Sequence, residues 1–331
     1  MKSEVCVQMR LKALVAALAL WTMPLAARAA TCVSQAELTS ADRASLGAAS
    51  SRLLAAVFAQ DTASLQTALL PAEAGSWESI KSAVEQSADL LKNGQPKLRN
   101  LYLLDASTQT ETADTQFYCS NAAGSLTVTI NMPSLPPGRY AVVLADAMDA
   151  PLAGQIGLIL AQEGNGWKLA GLSLRQGAFH ARDGLWYWQH ARALGSSDGW
   201  SAWFSYEAAR YLLVPVDFLG SPNLDKLKQE QSQLTNGLQN AFPYKLPDGD
   251  RTWTIEAVIL DASLREPDLA VLYTSTGVTD PAALRTEATA VLSAFLKSQP
   301  GLRENFHGLW AVASKNGKPS PILELPMNKI P

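Results

Sequence analysis

The chain is poor in histidine and cysteine, with three of each in 331 residues, and poor in charge: 17% of residues are ionisable Asp, Glu, Lys or Arg, with a formal net charge of −3. Each scarcity excludes something. His180 and His190 stand ten residues apart, with Asp183 between them and no cysteine near, so no zinc-finger or H-E-x-x-H spacing exists. Neither a metal nor another cofactor is expected. The missing basic excess excludes a general role on nucleic acid or anionic lipid, which calls for an electropositive surface. Beyond the N-terminal segment, no apolar run approaches the roughly 20 residues of a spanning helix.

The one long apolar run covers residues 13–27, broken by Thr22 and Pro24. Lys2, Arg10 and Lys12 precede it and Ala27-Arg28-Ala29 follows, the anatomy of a cleavable secretory signal in residues 1–29. A lipoprotein is disfavoured, because Thr31 precedes Cys32 and the usual leucine is missing. Removing residues 1–29 from the 331 leaves 302, with 23 basic and 29 acidic side chains and a net charge of −6. That length suits about two domains. The expected destination is the periplasm or the exterior. Cys6 leaves with the signal, so Cys32 and Cys119 remain as a candidate disulfide, the alternative being two unpaired thiols.

The mature chain opens with helices. Leu46, Leu53, Leu54, Val57 and Phe58 recur at helical spacing over residues 40–60, "TASLQTALLP" makes a short second helix, and "WESIKSAVEQSADLLKNG" a third ending at Asn93-Gly94. Six short runs follow, from "KLRNLYLLDAS" to "GWKLAGLSLRQ", bounded by Gly, Pro, Asn and Asp, and they read as strands. Asn165-Gly166 is a hairpin signal between the last two.

Two or three helices followed by a bent antiparallel sheet that ends in "EGNGWKLAGLSLR" resembles the NTF2-like superfamily over about residues 40–176. The resemblance rests on element order and the Gly166-Trp167 hairpin. It implies a cone-shaped domain over residues 30–178, with helices on a bent sheet and an open mouth, and with dimerisation through the sheet as a common arrangement. Different members isomerise, dehydrate, bind ligands or assemble, so the fold does not decide the function. No histidine lies between Ala30 and Phe179, so members with a His–carboxylate pair are unmatched. Acid–base candidates are Tyr102, Asp105, Asp114, Tyr118 and Tyr140, of which Tyr102 and Tyr118 are placed inside the cone.

Residues 179–246 read as helical: a hairpin over 181–213, with Gly195 ending one helix and Asp198 capping the next, then an amphipathic helix starting at Ser221-Pro222 and carrying Leu224, Leu227, Leu234 and Leu238. Residues 247–331 read as a small α+β unit with two strands, a helix capped by Asp280-Pro281 and a closing hairpin around Asn316-Gly317. The fold class is α+β throughout.

The hairpin "GLWYWQHARALGSSDGWSAWFSYEAARYLL" is dense in aromatics. Tyr187 and Trp188 share a core stripe with Gly184, Ala191 and Leu194, and the second helix is apolar on two sides, as expected of one buried between layers. Trp186 and His190, four residues apart, lie off that stripe as a ligand platform or a docking contact. Gly195-Ser196-Ser197-Asp198-Gly199 matches G-x-S-x-G, but it joins two helices, whereas a nucleophile elbow joins a strand to a helix.

The reading is an exported module, not an enzyme in the first instance, that binds a small apolar ligand or an envelope protein in the cone or in an interdomain groove. Candidate ligand-binding residues are Tyr102, Tyr118, Trp186 and His190. The alternatives are proton-transfer chemistry in the same cone, and carbohydrate binding through surface aromatics.

Overall fold

In a computed structural model of the chain, residues 30–120, 127–150, 152–195, 197–234, 242–263, 265–315 and 317–331 are described. Residues 1–29, expected to be a signal, lie outside these residues, as do Ser196, Leu238 and Asn316.

The first part begins with β1(Thr31–Ser34), then α1(Ser40–Phe58), α2(Thr62–Ala68), α3(Trp77–Gln86) and α4(Ala88–Leu91). Thr39 caps α1 by accepting from the Asp42 amide at 3.1 Å, and Asp61 caps α2 by accepting from the Ser64 amide at 3.0 Å. The helix expected to run unbroken from residue 77 breaks at Ser87. The buried hydroxyl of Ser87 donates to the Val84 carbonyl at 2.7 Å, a local bond that competes with the helical ladder.

Strands β2(Gln95–Asp105), β5(Arg139–Met148), β6(Gly154–Glu163) and β7(Gly166–Gln176) join β1 in an antiparallel sheet of order β1-β2-β5-β6-β7. The β6–β7 turn is Gly164-Asn165, one residue earlier than the sequence suggests, because Gly164 supplies the positive φ of +58° and Gly166 already pairs with Glu163. The other two predicted strands, β3(Ala113–Ser120) and β4(Thr127–Leu135), do not join this sheet as one bent cone wall. They form a second sheet with β10(Leu219–Gly220), in the order β10-β4-β3.

Alternation along the strands explains the second layer. Leu101, Leu103, Ala141 and Val143 pack with the helices, while Tyr102, Leu104, Val142 and Leu144 pack with Phe117, Val128 and Ile130 of the second sheet. Runs such as "LYLL" and "AVVLA" are apolar on both faces and need cover on both. The Cys32–Cys119 disulfide, with Cα atoms 5.3 Å apart, staples β1 of the first sheet to β3 of the second. It is consistent with an oxidising compartment.

After the short pair β8(Ala178–Phe179) and β9(Arg182–Asp183) comes the hairpin of α5(Gly184–Leu194) and α6(Gly199–Leu213), then α7(Pro222–Ser232). Asp183, Asp198 and Ser221 cap the three helices by accepting from the amides of Trp186, Ser201 and Leu224. The two hairpin helices touch at Gly184, where a β-carbon would stand 2.5 Å from Leu213 Cγ. On α6, Phe204 belongs to the C-terminal core, while Tyr206, Ala208, Ala209 and Leu212 belong to the hairpin core. Glu230 of α7 clamps the hairpin, accepting from Trp188 Nε1 at 2.7 Å and from Arg192 Nε and Nη2 at 2.7 and 2.8 Å.

The last part has β11(Tyr244–Asp248), β12(Arg251–Asp261), β13(Asp268–Thr274), α8(Pro281–Ser298), α9(Leu302–Asn305), β14(Gly308–Lys315) and β15(Lys318–Pro326). The sheet order is β11-β12-β13-β14-β15; β13 and β14 are parallel, and α8 lies between them in the chain. The expected boundary at residue 247 therefore falls inside β11, whose residues pair with β12 from Tyr244 onward. Lys245, Pro247 and Asp248 disguise this strand among loop-like residues. No helix among the described residues is long and apolar enough to cross a membrane.

Three outcomes follow from this packing. Replacing Cys32 and Cys119 by Ser should lower the unfolding free energy by about 2–5 kcal/mol in denaturant titrations, since the bridge closes a loop with a sequence separation of 87. Phe204→Ala should lose about 3–5 kcal/mol, and the half-buried Trp186→Ala clearly less, by the same measurement. The guanidinium of Arg192 holds the Glu230 carboxyl below its ordinary range, with Trp188 adding to the effect against the opposing burial. A depressed folded-state pKa contributes stability above the unfolded value, which is lost as pH falls through the folded one. Glu230→Gln should thus cost about 1–2 kcal/mol at neutral pH, and its deficit against the wild type should shrink below about pH 4.

Candidate functional site

The face of the first sheet that carries Tyr102 and Leu144 is not fully covered by the second sheet. Between them and the helical hairpin lies a groove of about 290 Å³. Tyr102 and Leu144 form its floor, Val128 of β4 one side, and Leu185, Trp188 and Leu213 of the hairpin another. Pro215, Leu219 and Leu224 complete the apolar lining, with Arg99, Asn100, Ser221 and Asn223 as polar members. Leu185 is 53% exposed on α5, an unusual position for a large apolar side chain.

Local structure holds these groups in place. Tyr102 is an inward residue of β2, and burial raises its hydroxyl pKa, partly offset by the positive charge of Arg99. That hydroxyl makes no hydrogen bond to any described residue, yet it keeps some accessible surface. Arg99 is fixed by Asp146 at 3.1 Å and by Gln155 Oε1 at 3.3 Å. Trp188 is held by Glu230, and the Arg192 guanidinium lies 4.5 Å from its ring centroid. No carboxylate lines the groove.

The other sequence candidates lie elsewhere. Tyr118 is 66% exposed on β3, and its hydroxyl donates to Gln116 Oε1 at 2.5 Å; it does not face an interior, because Phe117 and Cys119 take the inward positions of that strand. Trp186 stacks on His190 at 4.6 Å, with the Arg182 guanidinium 4.1 Å from its ring centroid. His190 Nε2 lies 2.6 Å from Asn305 Oδ1, so this pair docks α5 against α9 of the C-terminal part. Asp105 accepts from Ser107 in a turn, Asp114 accepts from the Ser134 amide, and Tyr140 donates to the Pro136 carbonyl. Of the G-x-S-x-G match, Gly195 ends α5 and Asp198 caps α6, while Ser196 lies outside the described residues.

Sequence reasoning missed a cluster of metal-ligating side chains. Asp268 opens β13, His307 directly precedes β14, and Glu324 sits near the end of β15. One ligand atom from each lies within 4.8 Å of the others. His307 Nδ1 bonds Asp268 Oδ1 at 2.8 Å. Burial pushes the His307 pKa down, but Asp268, with Glu266 and Glu324, outweighs it and the net shift is upward. Burial and the negative charge of Asp268 raise Glu324, against the opposing pull of His307. The three residues are far apart in the chain and meet only through the order β13-β14-β15, which nothing in the sequence signals.

Comparison with protein-family models, with curated proteins and with solved structures finds no match for this chain.

Proposed function

We propose that this is an exported protein, delivered by residues 1–29 as a cleavable signal, whose groove binds a small and largely apolar molecule carrying one hydrogen-bonding group. The observation that carries the reading is Tyr102: a 2% exposed tyrosine whose hydroxyl has no hydrogen bond to a described residue and lines a largely apolar groove. The hydroxyl keeps some accessible surface inside the groove, so it is free to bond a polar group of an incoming ligand in place of water. Arg99 and Asn100 stand at the same place to orient a polar end. The disulfide supports the exported setting.

The NTF2-like resemblance of residues 30–178 is part of the same proposal, with one change. Leu46, Leu53, Val57, Val143 and Leu158 fill the helix-facing side of the sheet, so the ligand sits on the opposite face. Binding is favoured over proton transfer because the groove offers no carboxylate or histidine, and a phenol with a raised pKa is a poor base at neutral pH. Carbohydrate stacking on Trp186 is disfavoured because His190 and Arg182 already engage its ring.

The test uses 1-anilinonaphthalene-8-sulfonate, an apolar fluorophore with one anionic group, with decanol and decanoate as competitors. Tyr102→Phe should keep the melting temperature within a few degrees and weaken binding about three- to tenfold, the worth of one hydrogen bond. Leu224→Trp, from the half-buried wall, should fill the groove and abolish binding. Unchanged dye affinity in both variants would refute the groove as the site.

A further inference from the structure

We propose that Asp268, His307 and Glu324 form a binding site for a divalent transition-metal ion, with zinc as the preferred occupant. The proposal does not depend on the groove. It starts from geometry: three side chains on three neighbouring strand ends converge, with their ligand atoms within 4.8 Å of one another. Strand pairing brings them together, because β14 lies between β13 and β15 and all three residues sit at one end of the sheet, at the start of β13, just before β14 and near the finish of the antiparallel β15.

An independent observation points to a missing partner. Asp268 is fully buried, and while its Oδ1 accepts from His307, its Oδ2 has no hydrogen-bond partner. Glu324 Oε1 is buried and unpartnered as well. Two carboxylates in one cluster, each with an orphaned buried oxygen, are doubly unfavourable, through lost hydration and through mutual repulsion. His307 can neutralise at most one negative charge, and Glu266, whose Oε2 lies 2.8 Å from His180 Nε2 without hydrogen-bond geometry, adds a further carboxylate two residues from Asp268. A single dication neutralises both carboxylates and fills both vacant acceptor sites.

The backbone makes room for this arrangement. A β-carbon on Gly308 would stand 2.6 Å from Glu324 Oε1 and 3.0 Å from Asp268 Oδ1. Any other residue at this position would push the carboxylates apart, so glycine there permits their approach. The donor set selects the ion class. One imidazole nitrogen with two carboxylates suits zinc, manganese or iron, whereas calcium and magnesium prefer an all-oxygen shell. Three protein ligands leave a position for water, and the His307 side chain is 34% exposed, which gives solvent and metal a route in.

The experiment takes the mature chain, residues 30–331, stripped with a chelator and returned to chelator-free buffer. Zinc, manganese, calcium and magnesium chlorides are then titrated calorimetrically. The expected result is one zinc per chain, bound more tightly than calcium or magnesium. His307→Gln and Glu324→Gln should each weaken zinc by more than the roughly ten- to hundredfold that losing an outer-shell partner produces. His180→Gln and His190→Gln should leave it unchanged, which separates this site from adventitious imidazole binding. Asp268 is buried and its variants can fail to fold, so Gly308→Ala and the visible absorption of a cobalt-loaded sample provide a second readout. Gly308→Ala should weaken zinc, and the cobalt bands should vanish in Glu324→Gln. Absence of zinc uptake in the wild type would overturn the proposal, as would uptake and cobalt bands that survive in both His307→Gln and Glu324→Gln.

Discussion

Everything in this molecule hangs on a helix buried on two sides. α6 gives Phe204 to the C-terminal core and Tyr206, Ala208, Ala209 and Leu212 to the hairpin core, so neither core is complete without it. Its C-terminal end is tied to the first sheet. Gln155 donates to the Leu212 carbonyl at 2.6 Å, Arg175 to Val214 and Ser173 to Pro215. These bonds satisfy backbone carbonyls that the helix end would otherwise leave open. They also set the distance between the hairpin and the sheet, and with it the width of the groove over Tyr102.

Burial on two sides was legible in the sequence, because aromatics and alanines occupy two stripes of residues 199–213. The helices capped by Thr39, Asp61, Asp198, Ser221 and Asp280 were equally legible in outline, since local capping chemistry and periodicity act within a few residues. What the sequence hid was pairing between distant segments. Nothing local in "TQFYCSN" or "SLTVTINMP" says that these strands leave the main sheet for a second one with Leu219-Gly220. The two-faced apolar pattern of β2 and β5 was the cue, and it implies a second layer without naming its members. β11 was invisible because charge, proline and its short length mask a strand that relies on β12 for its pairing.

The same divide separates the site residues. Tyr102 and Tyr118 were both expected inside the cone; Tyr102 is buried but faces the second sheet, away from the helices, and Tyr118 is exposed, because strand parity does not say which face is covered by what. Trp186 and His190 were correctly paired by their i, i+4 spacing, but their partner on α9 could not be seen from the helix alone. Asp268, His307 and Glu324 meet only through sheet order, so no window on the sequence contains them.

The polar and apolar resources of the chain are thereby segregated. All three histidines contact partners from the C-terminal part: His180 with Glu266, His190 with Asn305 and His307 with Asp268. Gln176 donates to the Arg265 carbonyl and Arg265 to the Gln86 carbonyl, so directional bonds also span the joint between the first and last parts. An apolar joint would tolerate sliding, whereas hydrogen bonds of this kind permit one register. The groove follows the opposite rule. Its lining is mostly apolar, with Tyr102, Arg99 and Asn100 on β2 and Ser221 and Asn223 at the start of α7 as the polar members, so it offers shape and few polar anchors to whatever enters. The polar bonds that permit one register hold the hairpin at a set distance from the sheet, and so fix the walls of the apolar recess between them.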